Sequence, residues 1–189
     1  MPSTLINLLK KGGIGVIPTD TIYGVVVRAL DKKAVKKLYA LRRKTPEKPF
    51  IVLISSITEL AGFAITPTPA VSRFLKTVWP GKVSVIFPCK AKKFSYLHLG
   101  TNTLAFRLPK SKKLQTLLKK TGPLLAPSAN PEGEKPAETI AEAKKYFGEK
   151  IDVYVSAGRL RGKPSTLVSF LGDSPKVLRA GAVKIKIEI

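Results

Sequence analysis

The run Ile14-Gly15-Val16-Ile17 stops at Pro18, and that stop constrains the fold more than any other feature of the chain. A short apolar run bounded by a breaker reads as a buried strand. Proline has no N–H to give to a ladder, so the strand ends there. Thr19, Asp20, Thr21 and Tyr23 then crowd into five positions, and Gly24 lets the backbone turn or be approached closely. Polar groups gathered at the end of a buried strand sit where ligands of open α/β sheets bind. Thr and Asp also bond their own backbone in turns, so a capped turn accounts for the same residues without a ligand.

The 189 residues suffice for one domain with a substantial core, and a 44% hydrophobic content marks a globular chain. No apolar run approaches the ~18–20 residues of a membrane-spanning helix. The N-terminus Met1-Pro2-Ser3-Thr4 lacks the basic stretch and cleavage site of a signal peptide. Cys89 and His98 each occur once, which leaves no disulfide framework and no cysteine metal site. The expectation is a cytoplasmic protein without structural zinc and without a membrane partner. Lys and Arg number 34 against 12 Asp and Glu, a net charge of +22. Such an excess points to a polyanionic partner, RNA or a nucleotide. It also fits lysines spread over solvated helix faces, because many come in pairs at helical positions: Lys32-Lys33, Lys36-Lys37, Lys112-Lys113, Lys119-Lys120 and Lys144-Lys145.

Strands and helices alternate along the chain. Ser3 caps a first helix that ends at Gly12-Gly13, and Val25-Val26-Val27 extends after the polar turn. Asp31 caps a helix through Arg42, with Ala34, Val35 and Leu38 on its apolar face. Arg42, Arg43 and Lys44 leave that helix toward Thr45-Pro46, Lys48-Pro49 and a strand from Phe50 to Ile54. Cations favour a helix C-terminus, and they also suit phosphate or carboxylate. Thr58 caps a short helix, Pro69–Val78 forms another, and Trp79-Pro80-Gly81 turns into a strand. Trp79 can stack on an adenine or pack in the core. Lys90–Leu99 reads as a basic loop.

In Thr103-Leu104-Ala105-Phe106-Arg107, alternation puts Thr103, Ala105 and Arg107 on one face of a strand. An arginine mid-strand on a face of small residues is costly unless it meets an anion. Ser111 caps the next helix. The strand through Leu124-Leu125 ends at Pro127, and Ser128 and Asn130 offer a hydroxyl and an amide on the same side of an extended backbone. An Asx turn is the competing reading of Asn130. Thr139 caps a helix through Phe147, and Asp152–Val155 is a strand. Gly158 to Lys163 forms a glycine-rich basic loop suited to phosphate. Val183–Ile189 alternates as a half-exposed strand.

The blocks Pro18-Thr19-Asp20-Thr21-Ile22-Tyr23-Gly24, Lys48-Pro49, Trp79-Pro80-Gly81, Thr103-x-Ala105-x-Arg107-x-Pro109, Ser128-x-Asn130, Ser165-Thr166 and Leu178-Arg179-x-Gly181 resemble, in order, those of the YrdC-like family of threonylcarbamoyl-AMP synthases. Where that family has K-x-R, Arg42 stands on the lysine and Lys44 on the arginine, an exchange that matters at bidentate sites. The chain resembles the short form of the family, one YrdC-like domain over residues 1–189. The resemblance implies an α/β (α+β) fold: a twisted mixed β-sheet flanked by helices around a concave basic cleft, YrdC/RibB-like.

The resemblance also implies the activity. L-threonine, bicarbonate or carbon dioxide, and ATP would give L-threonylcarbamoyladenylate and pyrophosphate, for modification of tRNA position 37 by transferase proteins. The amine attacks carbon dioxide and the carbamate oxygen attacks the α-phosphate, so no covalent enzyme nucleophile is required. Carried over by position, Thr19, Thr21, Tyr23, Arg107 and Ser165 would hold L-threonine, with Arg107 on its carboxylate. Arg42, Lys44, Thr103, Ser128, Asn130 and Arg179 would hold ATP, and Arg42 and Lys44 would position the reacting groups. Mg²⁺ would arrive with ATP, no protein-held metal being implied, and Asp20 is not expected to be a ligand. Two alternatives remain: a non-enzymatic protein binding tRNA or double-stranded RNA, and a carbamoyl-adenylate former of the hydrogenase-maturation type.

Overall fold

The computed structural model describes residues 1–42, 49–172 and 174–185. Lys44, Lys48 and most of the expected C-terminal strand lie outside the described residues. The described strands are β1 Gly15–Pro18, β2 Tyr23–Arg28, β3 Ile51–Leu53, β4 Val83–Pro88, β5 Thr103–Arg107, β6 Leu124–Leu125, β7 Val153–Tyr154, β8 Thr166–Ser169 and β9 Lys176–Arg179. The helices are α1 Ser3–Lys10, α2 Lys32–Arg42, α3 Pro69–Val78, α4 Ser95–His98, α5 Lys112–Thr121 and α6 Ile140–Phe147.

All nine strands join one sheet in the order β7-β1-β2-β6-β3-β5-β4-β8-β9. The pairs β1/β7, β3/β5 and β4/β8 are parallel and the rest antiparallel. This is the mixed sheet with flanking helices that the family resemblance implies.

The strand sequences are apolar at consecutive positions because both faces of the sheet are covered. Val25 and Val27 join the larger core with Val52, Leu125 and Phe106. The residues between them, Val26, Leu53 and Leu124, join a second core with Leu5 and Leu9 of α1 and Leu114, Leu117 and Leu118 of α5. The second core stops short of β4 and β8, none of whose residues belongs to it. Across that stretch, register places Ile51, Ala105 and Ile86 side by side on one face, and all three line an open cleft.

Local signals account for most boundaries. Asp31 Oδ1 accepts from the N–H groups of Lys33 and Ala34 at 3.0 Å, Ser111 caps α5 and Thr139 caps α6. Other expectations are corrected. Pro2, not Ser3, is the N-cap of α1, and its ring offers no acceptor to the helix N–H groups. Ser56, not Thr58, caps the turn of 3₁₀ helix at Ile57–Phe63. Lys90–Leu99 is no open loop. It holds a 3₁₀ turn at Lys92–Phe94 followed by α4, because Phe94 and Leu97, three apart, are both buried. Trp79 is 5% exposed and donates from Nε1 to Val83 O at 2.7 Å, so it packs in the core.

Phe106 is fully buried against the rings of Phe63 and Phe87, with centroids 4.9 and 6.2 Å away. Phe106→Ala is expected to cost about 3–5 kcal/mol, read from a shift of the urea midpoint at unchanged slope.

Candidate active site

The cleft has a volume of about 680 Å³, within the usual range of small-molecule sites. Its floor is the uncovered sheet face, Ile51, Ala105, Ile86 and Leu167, with Phe50 and Ala126 at the side. Its walls carry Thr19, Thr21, Arg42, Thr101, Thr103, Arg107, Ser128, Ser165 and Arg179. Three guanidinium groups and a row of hydroxyls thus stand around an apolar floor. That arrangement suits an anionic ligand with an apolar part.

The polar turn after β1 is pinned to the loop after β6. Val25 N donates to Pro127 O at 2.9 Å, Ala129 N donates to Tyr23 O at 2.9 Å, and Gly24 bridges to Ser128. A Cβ on Gly24 would lie 3.2 Å from Pro127 O and 3.3 Å from Thr19 Cγ2. The expected close approach is therefore between two loops of the chain itself. Thr19 Oγ1 accepts from the N–H groups of Thr21 and Ile22 and lies 2.6 Å from Ile22 O, to which it donates. The capped-turn reading holds for Thr19, although the residue also lines the cleft.

Arg107 ends β5 on the cleft face, 4% exposed. The anion it meets is Asp20, with Oδ1 2.9 Å from Nη1, and Thr21 Oγ1 is 3.4 Å from the same nitrogen. Nε of Arg107 is buried and has no hydrogen-bond partner among the described residues. Burial lowers the pKa of this guanidinium, Asp20 opposes the shift, and Arg179 adds to it.

Arg42, the last described residue of α2, is 7% exposed. Its Nη1 donates to Ser128 O and lies 3.3 Å from Ser128 Oγ, while its Cζ stands 5.3 Å from the centre of the Phe50 ring. Phe50 stacks on Tyr39 at 4.5 Å. Burial pulls the Arg42 guanidinium down to about 10, against the attraction of Glu132. It remains a cation at neutral pH, and its buried Nε has no hydrogen-bond partner among the described residues.

Ser165 shares a 2.8 Å hydrogen bond with Ser84, and its carbonyl accepts from Arg179 Nη2 at 2.9 Å. Thr103 Oγ1 is 3.1 Å from Thr101 Oγ1, which donates to His98 O. Eight of the expected site residues therefore gather around one cleft: Thr19, Thr21, Arg42, Thr103, Arg107, Ser128, Ser165 and Arg179.

Two expected ligands do not line it. Tyr23 is fully buried, and its hydroxyl donates to Gly158 O at 2.7 Å and accepts from Ala157 N at 2.8 Å. The Asn130 amide donates to Pro131 O and Glu134 O, both at 2.8 Å, so it shapes its own loop as an Asx-type turn does. Asp20 is the only acid in the sequence blocks, and it contacts Arg107 without lining the cleft. The cost of a buried arginine on β5 was the signal that an acid must reach it.

The model of the family described as "Telomere recombination", that of Sua5, YciO and YrdC, matches residues 7–181. A threonylcarbamoyl-AMP synthase of Bacillus subtilis is 33% identical over 184 residues, 93% of this chain and 52% of that protein. One from Halorhodospira halophila is 31% identical over 156 residues, covering 82% of this chain and 81% of the other. The crystal structure of P. abyssi Sua5 complexed with L-threonine superposes with a TM-score of 0.87 at 27% identity, over 94% of this chain and 53% of that one. The chain spans about half the length of the Bacillus and P. abyssi proteins.

Proposed function

The chain belongs to the Sua5, YciO and YrdC family, and from that premise we propose that it joins L-threonine, bicarbonate or carbon dioxide, and ATP into L-threonylcarbamoyladenylate and pyrophosphate. The product would serve threonylcarbamoyladenosine modification of tRNA position 37, after hand-over to transferase proteins. The observation that carries this reading is the set of three guanidinium groups, Arg42, Arg107 and Arg179, around one cleft with an apolar floor. A relative solved with L-threonine shares the fold over nearly the whole chain.

In this reading the carboxylate of threonine meets Arg107, which lines the cleft. Thr19, Thr21 and Ser165 stand around the amino acid. Arg42, Thr103, Ser128 and Arg179, with Lys44, take the nucleotide. Tyr23 and Asn130 support the loops instead of touching ligand, as their hydrogen bonds suggest. The threonine amine attacks carbon dioxide and loses a proton, the carbamate oxygen attacks the α-phosphate, and pyrophosphate leaves. Holding the two reactants together and neutralising charge at the α-phosphate supply the acceleration. Magnesium is taken to enter as Mg·ATP. Among the described residues no group of three or more His, Cys, Asp or Glu is placed to hold a metal.

The test is pyrophosphate release from ATP and bicarbonate with L-threonine, without it, and with L-serine in its place. Release that depends on threonine supports the reading, and release that ignores the amino acid, or none, overturns it. Ser128→Ala is expected to raise the KM for ATP about tenfold, the loss of one charge-assisted contact, while the KM for threonine stays within twofold. An unchanged KM for ATP removes Ser128 from the nucleotide site.

A further inference from the structure

Asp20 does not line the cleft. It lines a separate cavity of about 780 Å³, bounded by Thr77, Pro80, Lys82, Lys110 and Lys184. From there its side chain, 9% exposed, reaches Arg107 from outside the site. Oδ1 lies 2.9 Å from Arg107 Nη1, and Oδ2 accepts from Lys110 N at 3.2 Å, just past the end of β5. Asp20 is flanked by Thr19 and Thr21, whose hydroxyls are 3.0 Å apart on the cleft side, and Thr21 Oγ1 is 3.4 Å from Nη1. Nη1 is thus ion-paired from behind, through a 2.9 Å contact of charge and not a hydrogen bond, while Nε, also buried, has no hydrogen-bond partner among the described residues.

We infer that Asp20 is the positioning residue of the amino-acid site: it holds Nη1 so that the remaining donors of Arg107 face a ligand carboxylate. This inference rests on the amino-acid role proposed for Arg107. An arginine reads a carboxylate by two parallel N–H···O bonds, and that match requires a fixed guanidinium plane. A free arginine of this length carries large rotamer entropy, which a buried counter-ion removes before the ligand arrives. The second bond of Asp20, to a main-chain N–H, fixes the carboxylate itself. The loop after β1 and the loop after β5 are thereby joined directly, by Asp20 and Lys110. Asp20 contacts neither nucleotide nor amino acid in this arrangement, so its removal acts through Arg107 and through the tie to Lys110.

The first test needs no turnover. In the wild-type protein, nitrogen NMR of the arginine side chains, with Arg107 assigned by the loss of its signals in Arg107→Lys, is expected to show two separate Nη resonances. A single averaged resonance, the mark of a freely rotating group, overturns the proposal. The second test is kinetic. Asp20→Asn is expected to raise the KM for threonine about twentyfold and to leave the KM for ATP within about twofold, while Asp20→Glu, which keeps the charge, stays within about fivefold of wild type for both. Equal rises in the two KM values, or none, overturn it. If the wild-type protein shows no threonine-dependent release, the functional reading falls and the NMR result alone decides the role of Asp20. If Asp20→Asn does not fold, Asp20→Glu and the wild-type spectrum decide it.

Discussion

Arg107→Ala is expected to reduce threonine-dependent pyrophosphate release at least about a thousandfold and, separately, to destabilise the fold by about 3–5 kcal/mol. The first loss follows from removing the cation that ends β5 in the cleft wall. The second follows from Asp20, a carboxylate only 9% exposed that would lose its 2.9 Å ion pair. That cost is a large share of the ~5–15 kcal/mol that holds a domain together. The two losses separate in the double variant Asp20→Asn/Arg107→Met, which removes both charges and fills the space with an apolar side chain. It is expected to recover most of the stability in a urea titration and none of the activity. Arg107→Ala with a near-normal KM for threonine removes Arg107 from the amino-acid site. A double variant as unstable as the single one shows that the lost packing, not the lone carboxylate, sets the cost.

Arg107 was legible in the sequence because the period of two along β5 leaves no doubt about its face, and physics then demands an anion. The sequence did not show which anion, since Asp20 lies 87 positions earlier on another strand end. Tyr23 and Asn130 illustrate the opposite difficulty. Each sits in a block that gathers polar groups, yet the Tyr23 hydroxyl is used by the backbone at Ala157 and Gly158, and the Asn130 amide by its own loop. No local pattern distinguishes a polar group facing the cleft from one buttressing it.

The floor was invisible for a related reason. Ile51, Ala105 and Ile86 meet only through the order β3-β5-β4, in which one pair is parallel and the other antiparallel. Charge misled in one place and informed in another. The lysines of Lys90–Leu99 mask the spacing of Phe94 and Leu97, which build a helical turn there. The paired lysines of α2, α5 and α6 lie exposed on the faces away from the core, so much of the net charge is solvated helix surface.

The glycine-rich loop leads to the second large effect. Gly162→Ala is expected to raise the KM for threonine about a hundredfold, although residue 162 lines no part of the cleft. A Cβ there would fall 2.0 Å from Thr21 O and 3.0 Å from Thr21 C, a backbone contact that no rotamer change relieves. The loop cannot simply lift away. Tyr23 holds it at Ala157 and Gly158, Leu160 N donates to Glu138 O at 2.8 Å, and Ser165 is tied to Ser84. Thr21 must move instead, and it is the residue whose hydroxyl stands beside Arg107 Nη1. The strain therefore passes from the loop to the amino-acid site through a single peptide group. Gly172→Ala is the control, because its added methyl meets nothing within 4 Å and it should match wild type. A Gly162→Ala protein with wild-type kinetics would mean that Thr21 can shift without disturbing Arg107, and the tie between the two loops would then carry no functional weight.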